Sequence, residues 1–455
     1  MKKAVLLPTE ENLIRTMTED LLDRNQELSS LCRLLQLQQG MNSIAIDGRW
    51  GSGKTFFVKQ CALLLNSVNS LSDIEEGIKE KVRTTASEKG LLDSLKENAF
   101  LAVYYDAWKN DTDEDPVLSL IYEIVQQLNI NSGLFDLNKM TTILTSAFNI
   151  VTGRDVTEFF KHVQDINLLK NVHKEKKMDL ILQEFFVEVL QENCERLVIF
   201  VDELDRCRPS FAVRLLERIE HYFVNERITF VFSMNIEQLQ HTIKAFYGSD
   251  FDACRYLDRF FDVRLSLPTV HFIPFYKSLG LNDNYELDRV IIRVHETFNL
   301  SIREFCKYYE AVKMAGMKYD RGDTYNFLFT YIVPLTLALK TTNIDLYTKF
   351  ISGQDVNPLL DLYDNNFGRH IAESLLNYKE TFEVDKFHSP FNTECIPLTV
   401  ENKLMELYDA IFVKEYVDSM DRVTMGRCCF DKYCKEMVSN ADCLLGEYAN
   451  CDSYL

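Results

Sequence analysis

The segment from Gly48 to Thr55 combines three glycines with a lysine and a threonine, in the order GRWGSGKT. It fits the pattern G-x-x-x-x-G-K-[ST] without departure, and it stands between an apolar run and a helical pattern. Glycines let backbone amides converge on phosphate oxygens, and the positive end of the following helix faces the same charge. The Lys54 ammonium is expected to reach the β- and γ-phosphates, and the Thr55 hydroxyl to bind Mg²⁺. The predicted nucleotide-binding residues are Gly48, Trp50, Gly51, Ser52, Gly53, Lys54, Thr55 and Phe56.

A second group of polar residues follows an apolar run, in LVIFVDELDRC. Such a run is typical of a buried parallel strand, which would deliver Asp202 to the carboxyl edge of the sheet, where ligands bind. Asp202 is expected to hold Mg²⁺, mostly through water. Glu203 is expected to polarise a water molecule in line with the γ-phosphate. The alternative is a plain solvated strand end, which the phosphate-binding loop upstream disfavours.

Three further residues are candidates for the same chemistry. Asn235 follows the apolar run FVFSM, and it could contact the γ-phosphate or the attacking water, or cap the helix that starts with IEQLQ. Arg259, in YLDRFF, is a candidate for an arginine finger that acts on a neighbouring subunit. Arg303, in LSIREF, is a candidate for a second sensor that reaches back over the nucleotide. A surface ion pair is the alternative for each arginine.

The elements that must position these residues alternate along the chain. Predicted strands are SIAIDG, the segment 99–108, ERLVIFVDELDR, RITFVFSMN and FFDVRLSLP, and helical patterns stand between them. This alternation predicts an α/β fold with a parallel sheet covered by helices on both faces. Residues 1–40 are predicted as an N-terminal helical segment, with one helix over 9–39. Residues 41–268 would form the core with a helical insertion at about 131–180, and residues 269–455 a helical lid and an all-helical C-terminal domain.

Charge and composition limit the function further. The 455-residue chain carries 69 acidic and 50 basic residues, a net charge of −19, which disfavours a broad nucleic-acid-binding surface. The N-terminus shows no secretory signal, and the most apolar segment, 325–340, is too short to span a bilayer and contains Pro334. With twelve cysteines, these features predict a cytoplasmic protein with reduced thiols and no membrane span.

Four motifs in order, GRWGSGKT, YYDAWKND, DELDRC and YLDRFF, resemble those of the KAP family of P-loop NTPases. The similarity runs from about residue 15 to 315. Three positions differ from the family's usual residues: Asp106 replaces Asn, Glu203 replaces Asp, and Arg259 stands where Lys is frequent. The family often carries transmembrane helices between the two phosphate-site motifs, whereas this sequence has a soluble insertion there.

The resemblance implies a P-loop NTPase core of the additional-strand type with a helical lid. It also implies a protein that binds ATP and Mg²⁺, hydrolyses ATP, and serves as a switch or assembly platform, as a homo-oligomer or with a partner protein. Some prokaryotic members are linked to phage exclusion, so a role in anti-phage defence follows by analogy. Two alternatives stay open, a small-molecule or nucleotide kinase and a non-hydrolysing nucleotide-dependent scaffold. Phosphate release without an added acceptor would separate hydrolysis from both.

Overall fold

The described parts of the chain form two units. The computed structural model describes residues 7–37, 43–70, 72–91, 95–96, 99–128, 182–187, 189–190, 194–222, 225–268, 270–316, 322–364, 367–377, 380–382, 396–418 and 420–441. The first unit runs from Leu7 to Phe275, and the second begins at Tyr276. The predicted helical insertion at about 131–180 lies outside the described residues.

The first unit begins with two helices, α1 (Glu10–Glu19) and α2 (Asn25–Leu37). The prediction of one helix over 9–39 is therefore wrong. Asp20 adopts the left-handed conformation, with φ of 47°, and this residue ends α1. The apolar residues of both helices that face inward are buried, among them Met17, Leu28 and Leu35.

Five parallel strands form the sheet of this unit: β1 (Ser43–Asp47), β2 (Phe100–Asp106), β3 (Arg196–Asp202), β4 (Ile228–Met234) and β5 (Val263–Ser266). Their order is β2-β3-β4-β1-β5. Strand β4 lies between β1 and β3, so the predicted parallel sheet of the additional-strand type is confirmed. The central strands are buried on both faces, which explains their nearly continuous apolar sequence.

The strands end level at one edge of the sheet. Asp47 of β1 pairs with Met234 of β4, and Asp202 of β3 pairs with Ser233 of β4. The segments that follow these strands therefore meet at the carboxyl edge. Further helices of this unit are α3 (Lys54–Ser67), α4 (Glu76–Glu88), α5 (Pro116–Gln127), α6 (Pro209–Tyr222), α7 (Ile236–Tyr247), α8 (Ala253–Leu257) and α9 (Ile273–Leu279), the last of which ends in the second unit. Residues 182–187 and 189–190 are helical as well.

The second unit is helical, as predicted. Its helices are α10 (Glu286–Phe298), α11 (Ile302–Gly316), α12 (Asp323–Tyr331), α13 (Val333–Thr342), α14 (Ile344–Ile351), α15 (Asn357–Leu362), α16 (Gly368–Ser374), α17 (Val400–Tyr408) and α18 (Lys432–Ser439). Two short strand pairs were not predicted: parallel β6 (Glu380–Phe382) with β7 (Ile396–Leu398), and antiparallel β8 (Val423–Met425) with β9 (Cys428–Phe430).

The apolar segment 325–340 forms parts of two helices, because Pro334 lies in the first turn of α13 and cannot continue α12. Among the residues that the structure describes, no helix is both long and apolar enough to cross a membrane.

Candidate functional site

The glycine-rich loop connects β1 to the N-terminus of α3. Gly51 and Gly53 have φ of 79° and 90°, a backbone region that side chains disfavour. Gly48 has no such torsion, but a Cβ there would lie 2.9 Å from Ser52 Oγ, so the loop folds closely upon itself. The Gly48 N–H donates to the Met234 carbonyl at 3.2 Å, which ties the start of the loop to β4. The sequence thus forms a concave backbone at the positive end of a helix.

Lys54 is the first residue of α3, and its side chain is only 8% exposed. Its ammonium donates to the carbonyl oxygens of Gly48 at 2.6 Å and Arg49 at 3.1 Å. Burial lowers the pKa of Lys54, and nearby carboxylates, that of Asp205 foremost, oppose this shift. An ammonium has three N–H donors, so one is left for a further acceptor such as a phosphate oxygen.

Asp202 ends β3 and is 1% exposed. The Tyr104 hydroxyl, from the neighbouring strand β2, donates to Asp202 Oδ2 at 2.9 Å. Burial raises the pKa of the Asp202 carboxyl, while the hydroxyls of Thr55, Ser233 and Tyr104 stabilise its ionised form and oppose the rise. A buried carboxylate beside an alcohol from the phosphate-binding loop is a donor set suited to a hard cation such as Mg²⁺.

Glu203 follows Asp202 in the left-handed conformation, with φ of 61°. Its Oε1 lies 3.4 Å from Thr55 Oγ1, and its Oε2 forms an ion pair with Arg206 Nε. Burial raises the pKa of Glu203, as does the Asp202 carboxylate, whereas the Arg206 cation lowers it. The structure therefore brings together four predicted residues, Lys54, Thr55, Asp202 and Glu203.

The remaining loop residues fit a phosphate ligand. Ser52 Oγ is buried and has no hydrogen-bond partner among the described residues, so it can serve an incoming oxygen. The Phe56 side chain is buried, and its backbone N–H belongs to the first turn of α3, where amides lack a partner within the helix. Trp50 is half exposed, and its ring N–H donates to Asp205 Oδ2 at 2.6 Å. The loop can therefore supply several donors to an anion.

The other three predicted residues lie in different places. Asn235 is the N-cap of α7, where its Oδ1 accepts from the Gln238 N–H at 3.2 Å. The helix-cap alternative therefore applies, and the sensor role stays a prediction. Arg259 is exposed before β5 and makes no side-chain hydrogen bond or ion pair with any described residue. Arg303 is exposed in the first turn of α11, in the second unit.

Four residues near the loop and Asp202 were missed in the sequence analysis. Tyr104 bonds to Asp202 and Ser233 lies opposite it in register, because their strands flank β3, and only the register of the sheet indicates this. Arg24 is buried, and its Nη2 donates to the carbonyls of Ser52 at 3.3 Å and Pro268 at 2.6 Å. Burial lowers the pKa of Arg24 to about 10. Arg206 was visible in the DELDRC motif, but its ion pair with Glu203 was not.

A parallel sheet with an additional central strand, a glycine-rich loop and an acidic residue at the end of β3 defines the P-loop NTPase class. Residues 24–286, more than half of the chain, match the KAP family P-loop domain. The protein belongs to the KAP family of P-loop NTPases, and the predicted resemblance is confirmed. This class of domain binds nucleotides.

Two other comparisons add no assignment. No curated protein matches this chain. Among solved structures, that of PCH-2 from C. elegans matches at 10% sequence identity over 73% of each chain, with a TM-score of 0.29. A likeness this low supports no conclusion about function.

Proposed function

We propose that this protein is a Mg²⁺-dependent ATPase that uses hydrolysis as a switch or to drive assembly. The observation that supports this most is the placement of Glu203. Its Oε1 lies 3.4 Å from the Thr55 hydroxyl, which is expected to bind the metal, and its neighbour Asp202 supplies the expected carboxylate. A base next to the metal ligands is what hydrolysis needs and what a purely structural nucleotide site does not.

The residues have separate functions in this proposal. Lys54 and the loop amides hold the β- and γ-phosphates, and Thr55 and Asp202 hold Mg²⁺, which supplies positive charge to the phosphate oxygens. Glu203 accepts a proton from a water molecule as the water oxygen bonds to the γ-phosphorus. The bond to the bridging oxygen breaks, and ADP and phosphate are the products. The scheme requires no proton transfer from the Asn235 amide, so the cap function of this residue is compatible with it.

The assembly part of the proposal concerns arginine. Charge on the γ-phosphoryl oxygens grows in the transition state, and a guanidinium stabilises it. The side chain of Arg259 is exposed and has no partner among the described residues, so it is available to a neighbouring copy of this chain. Arg303 is the candidate for a second sensor that reaches back over the nucleotide, as proposed from its sequence context. A cytoplasmic role in anti-phage defence follows from the family by analogy only.

The test is the substitution Glu203→Gln, which keeps the shape of the side chain and removes its basicity. We expect the variant to bind ATP with Mg²⁺ like wild type and to release phosphate at least ~100-fold more slowly, the usual effect of losing a general base. Phosphate release without an acceptor and calorimetric titration with ATP measure the two quantities. Asp202→Asn is the matched variant, and it should instead weaken the Mg²⁺ dependence of ATP binding.

Two outcomes would contradict the proposal. Wild-type turnover in Glu203→Gln would exclude Glu203 as the base. Tight ATP binding by wild type without phosphate release would favour the scaffold, and release that requires an added acceptor would favour a kinase.

A further inference from the structure

Both tryptophans of the chain contact the same arginine. The Arg206 guanidinium carbon lies 5.7 Å from the ring centroid of Trp50 and 5.5 Å from that of Trp108. We call Trp50, Trp108 and Arg206 the Trp–Arg cluster. The indole faces attract a cation, and a planar guanidinium stacks on them without giving up its N–H donors. The two rings therefore restrict where Arg206 can lie.

The Trp–Arg cluster is joined to the candidate base through one oxygen atom. Arg206 Nε pairs with Glu203 Oε2, while Glu203 Oε1 is directed to the Thr55 hydroxyl, 3.4 Å away. The carboxylate is thus held at one oxygen and presents the other to the loop. Both side chains are largely shielded from water, with 21% of Arg206 and 16% of Glu203 exposed.

The cluster is also joined to the phosphate-binding loop. Trp50 belongs to this loop, and its ring N–H donates to Asp205 Oδ2 at 2.6 Å. Asp205 precedes Arg206 in the short 3₁₀ turn Leu204–Arg206, which follows Glu203. The left-handed backbone of Glu203 starts this turn and brings Arg206 back over Glu203. Non-glycine residues in this conformation concentrate at functional sites.

We propose that Arg206 is a positioning residue that anchors Glu203 Oε2, so that Oε1 faces the attacking water, and that Trp50 and Trp108 hold Arg206 in place. This inference rests on the proposed hydrolysis. A glutamate side chain has three rotatable bonds, and a misplacement of about 1 Å at a reacting group can cost on the order of 100-fold in rate. The anchor removes that freedom without contacting the nucleotide.

The decisive variant is Arg206→Met, which keeps length and removes the guanidinium. We expect kcat for phosphate release to fall about 10- to 100-fold, while the ATP dissociation constant measured by calorimetry changes less than about twofold. The matched control is Arg208→Met in the same segment. The Arg208 side chain is 65% exposed, and its Nε lies 3.9 Å from Asp111 Oδ2, so little is expected from this ion pair. Asp111 Oδ2 also accepts from the Arg208 backbone N–H, a bond that the substitution keeps. This control should keep wild-type kcat.

Fluorescence gives a readout that a general loss of stability would not produce. Because Trp50 and Trp108 are the only tryptophans, emission excited at wavelengths that tyrosine does not absorb reports on the Trp–Arg cluster alone. We expect Arg206→Met to shift the emission spectrum of the folded protein, and Arg208→Met to leave it unchanged. If Arg206→Met does not fold, Trp108→Leu removes one half-exposed face of the cluster, and it should lower kcat several-fold at unchanged ATP affinity.

The outcomes separate this inference from the proposed function. An unchanged kcat in Arg206→Met, or in Trp108→Leu where the first variant does not fold, would overturn the positioning role. Equal losses of kcat and ATP affinity would also overturn it, because Arg206 would then act on bound nucleotide. Absence of phosphate release by wild type, or wild-type rates in Glu203→Gln, would instead refute the hydrolysis on which the inference rests.

Discussion

Buried ionisable side chains occur in both units, and their surroundings differ. In the first unit, the buried Lys54 lies among four carboxylates, Asp205, Asp202, Glu203 and Asp47. In the second unit, the fully buried Lys403 pairs at 2.9 Å with Glu406, three residues further along α17. The carboxylates around Lys54 thus come from several elements, whereas the Glu406 carboxylate lies on the same helix as Lys403.

A buried histidine of the second unit and a buried serine of the loop differ in a similar way. His295 is buried in α10, its Nδ1 bonds to the Tyr276 hydroxyl, and its Nε2 bonds to the Leu300 carbonyl at 2.9 Å. Both ring nitrogens are therefore occupied. In the loop, by contrast, Ser52 Oγ has no partner among the described residues and Lys54 has an N–H donor in reserve. Neither burial nor a missing partner indicates function by itself, because the buried Tyr308 hydroxyl of the second unit also lacks a partner among the described residues. In the loop, unused hydrogen-bonding capacity occurs beside a buried lysine and several carboxylates, and this combination indicates a site.

The largest expected effect tests this contrast between the two lysines. Lys54→Met should weaken ATP binding by ~100-fold or more, because the phosphates lose a desolvated positive partner. Lys403→Met should leave ATP affinity unchanged, because its charge serves Glu406 on the same helix. Calorimetric titration with ATP and Mg²⁺ measures both, and circular dichroism verifies that each variant is folded. Equal ATP affinity in the two variants would show that the surroundings of Lys54 and Lys403 do not distinguish a nucleotide-binding lysine from a structural one.

The fold could be predicted largely from local sequence. Apolar runs such as LVIFV mark buried strands, and the alternation with helices implies a parallel sheet. The single helix over 9–39 was predicted because the helical spacing of apolar residues continues across Asp20. Asp20 adopts the left-handed conformation, however, and the first helix ends there. The strand pairs of the helical unit are three residues each, too short to give a periodic signal.

The site was predictable only where residues are contiguous. Lys54 and Thr55 follow from one motif, and Asp202 and Glu203 from another. Tyr104 and Arg24 could not be found this way, because they approach Asp202 and Ser52 through strand register and helix placement. The ion pair between Glu203 and Arg206 depends on a backbone turn at Glu203 that no residue type signals, since glutamate seldom adopts positive φ.

A smaller effect is expected from Arg259, which has no partner among the described residues. Arg259→Ala subunits keep an intact nucleotide site, and Lys54→Ala subunits keep the arginine. If Arg259 acts on a neighbour, mixing the two inactive variants at equal amounts should restore about a quarter of wild-type activity per subunit, for random neighbours in a closed ring. Phosphate release by the mixture is the measurement. Co-assembly shown by size exclusion without recovered activity would assign Arg259 a structural function.

The smallest expected effect concerns the stability of the helical unit. Burial lowers the pKa of His295 from its ordinary value of 6.5 to about 4. Between these values the unfolded chain binds a proton that the folded protein does not, so His295 costs stability as the pH falls from about 7 to about 4. The loss would reach about 1–2 kcal/mol near pH 5.5, equivalent to roughly 2–8 °C in melting temperature.

His295→Gln separates this term from the other titrating groups. A glutamine amide offers one donor and one acceptor, as the neutral imidazole does, but it does not titrate in this range. Its melting temperature should therefore fall less than that of wild type between pH 7.5 and pH 5.5, by roughly 2–8 °C. His370→Gln is the control. His370 is exposed, its Nε2 lies 3.8 Å from Glu286 Oε1, and its ring nitrogens are not buried as those of His295 are. If both variants follow the wild-type pH dependence, the imidazole of His295 is protonated in the folded protein, and the bonds to Tyr276 and Leu300 do not hold it neutral.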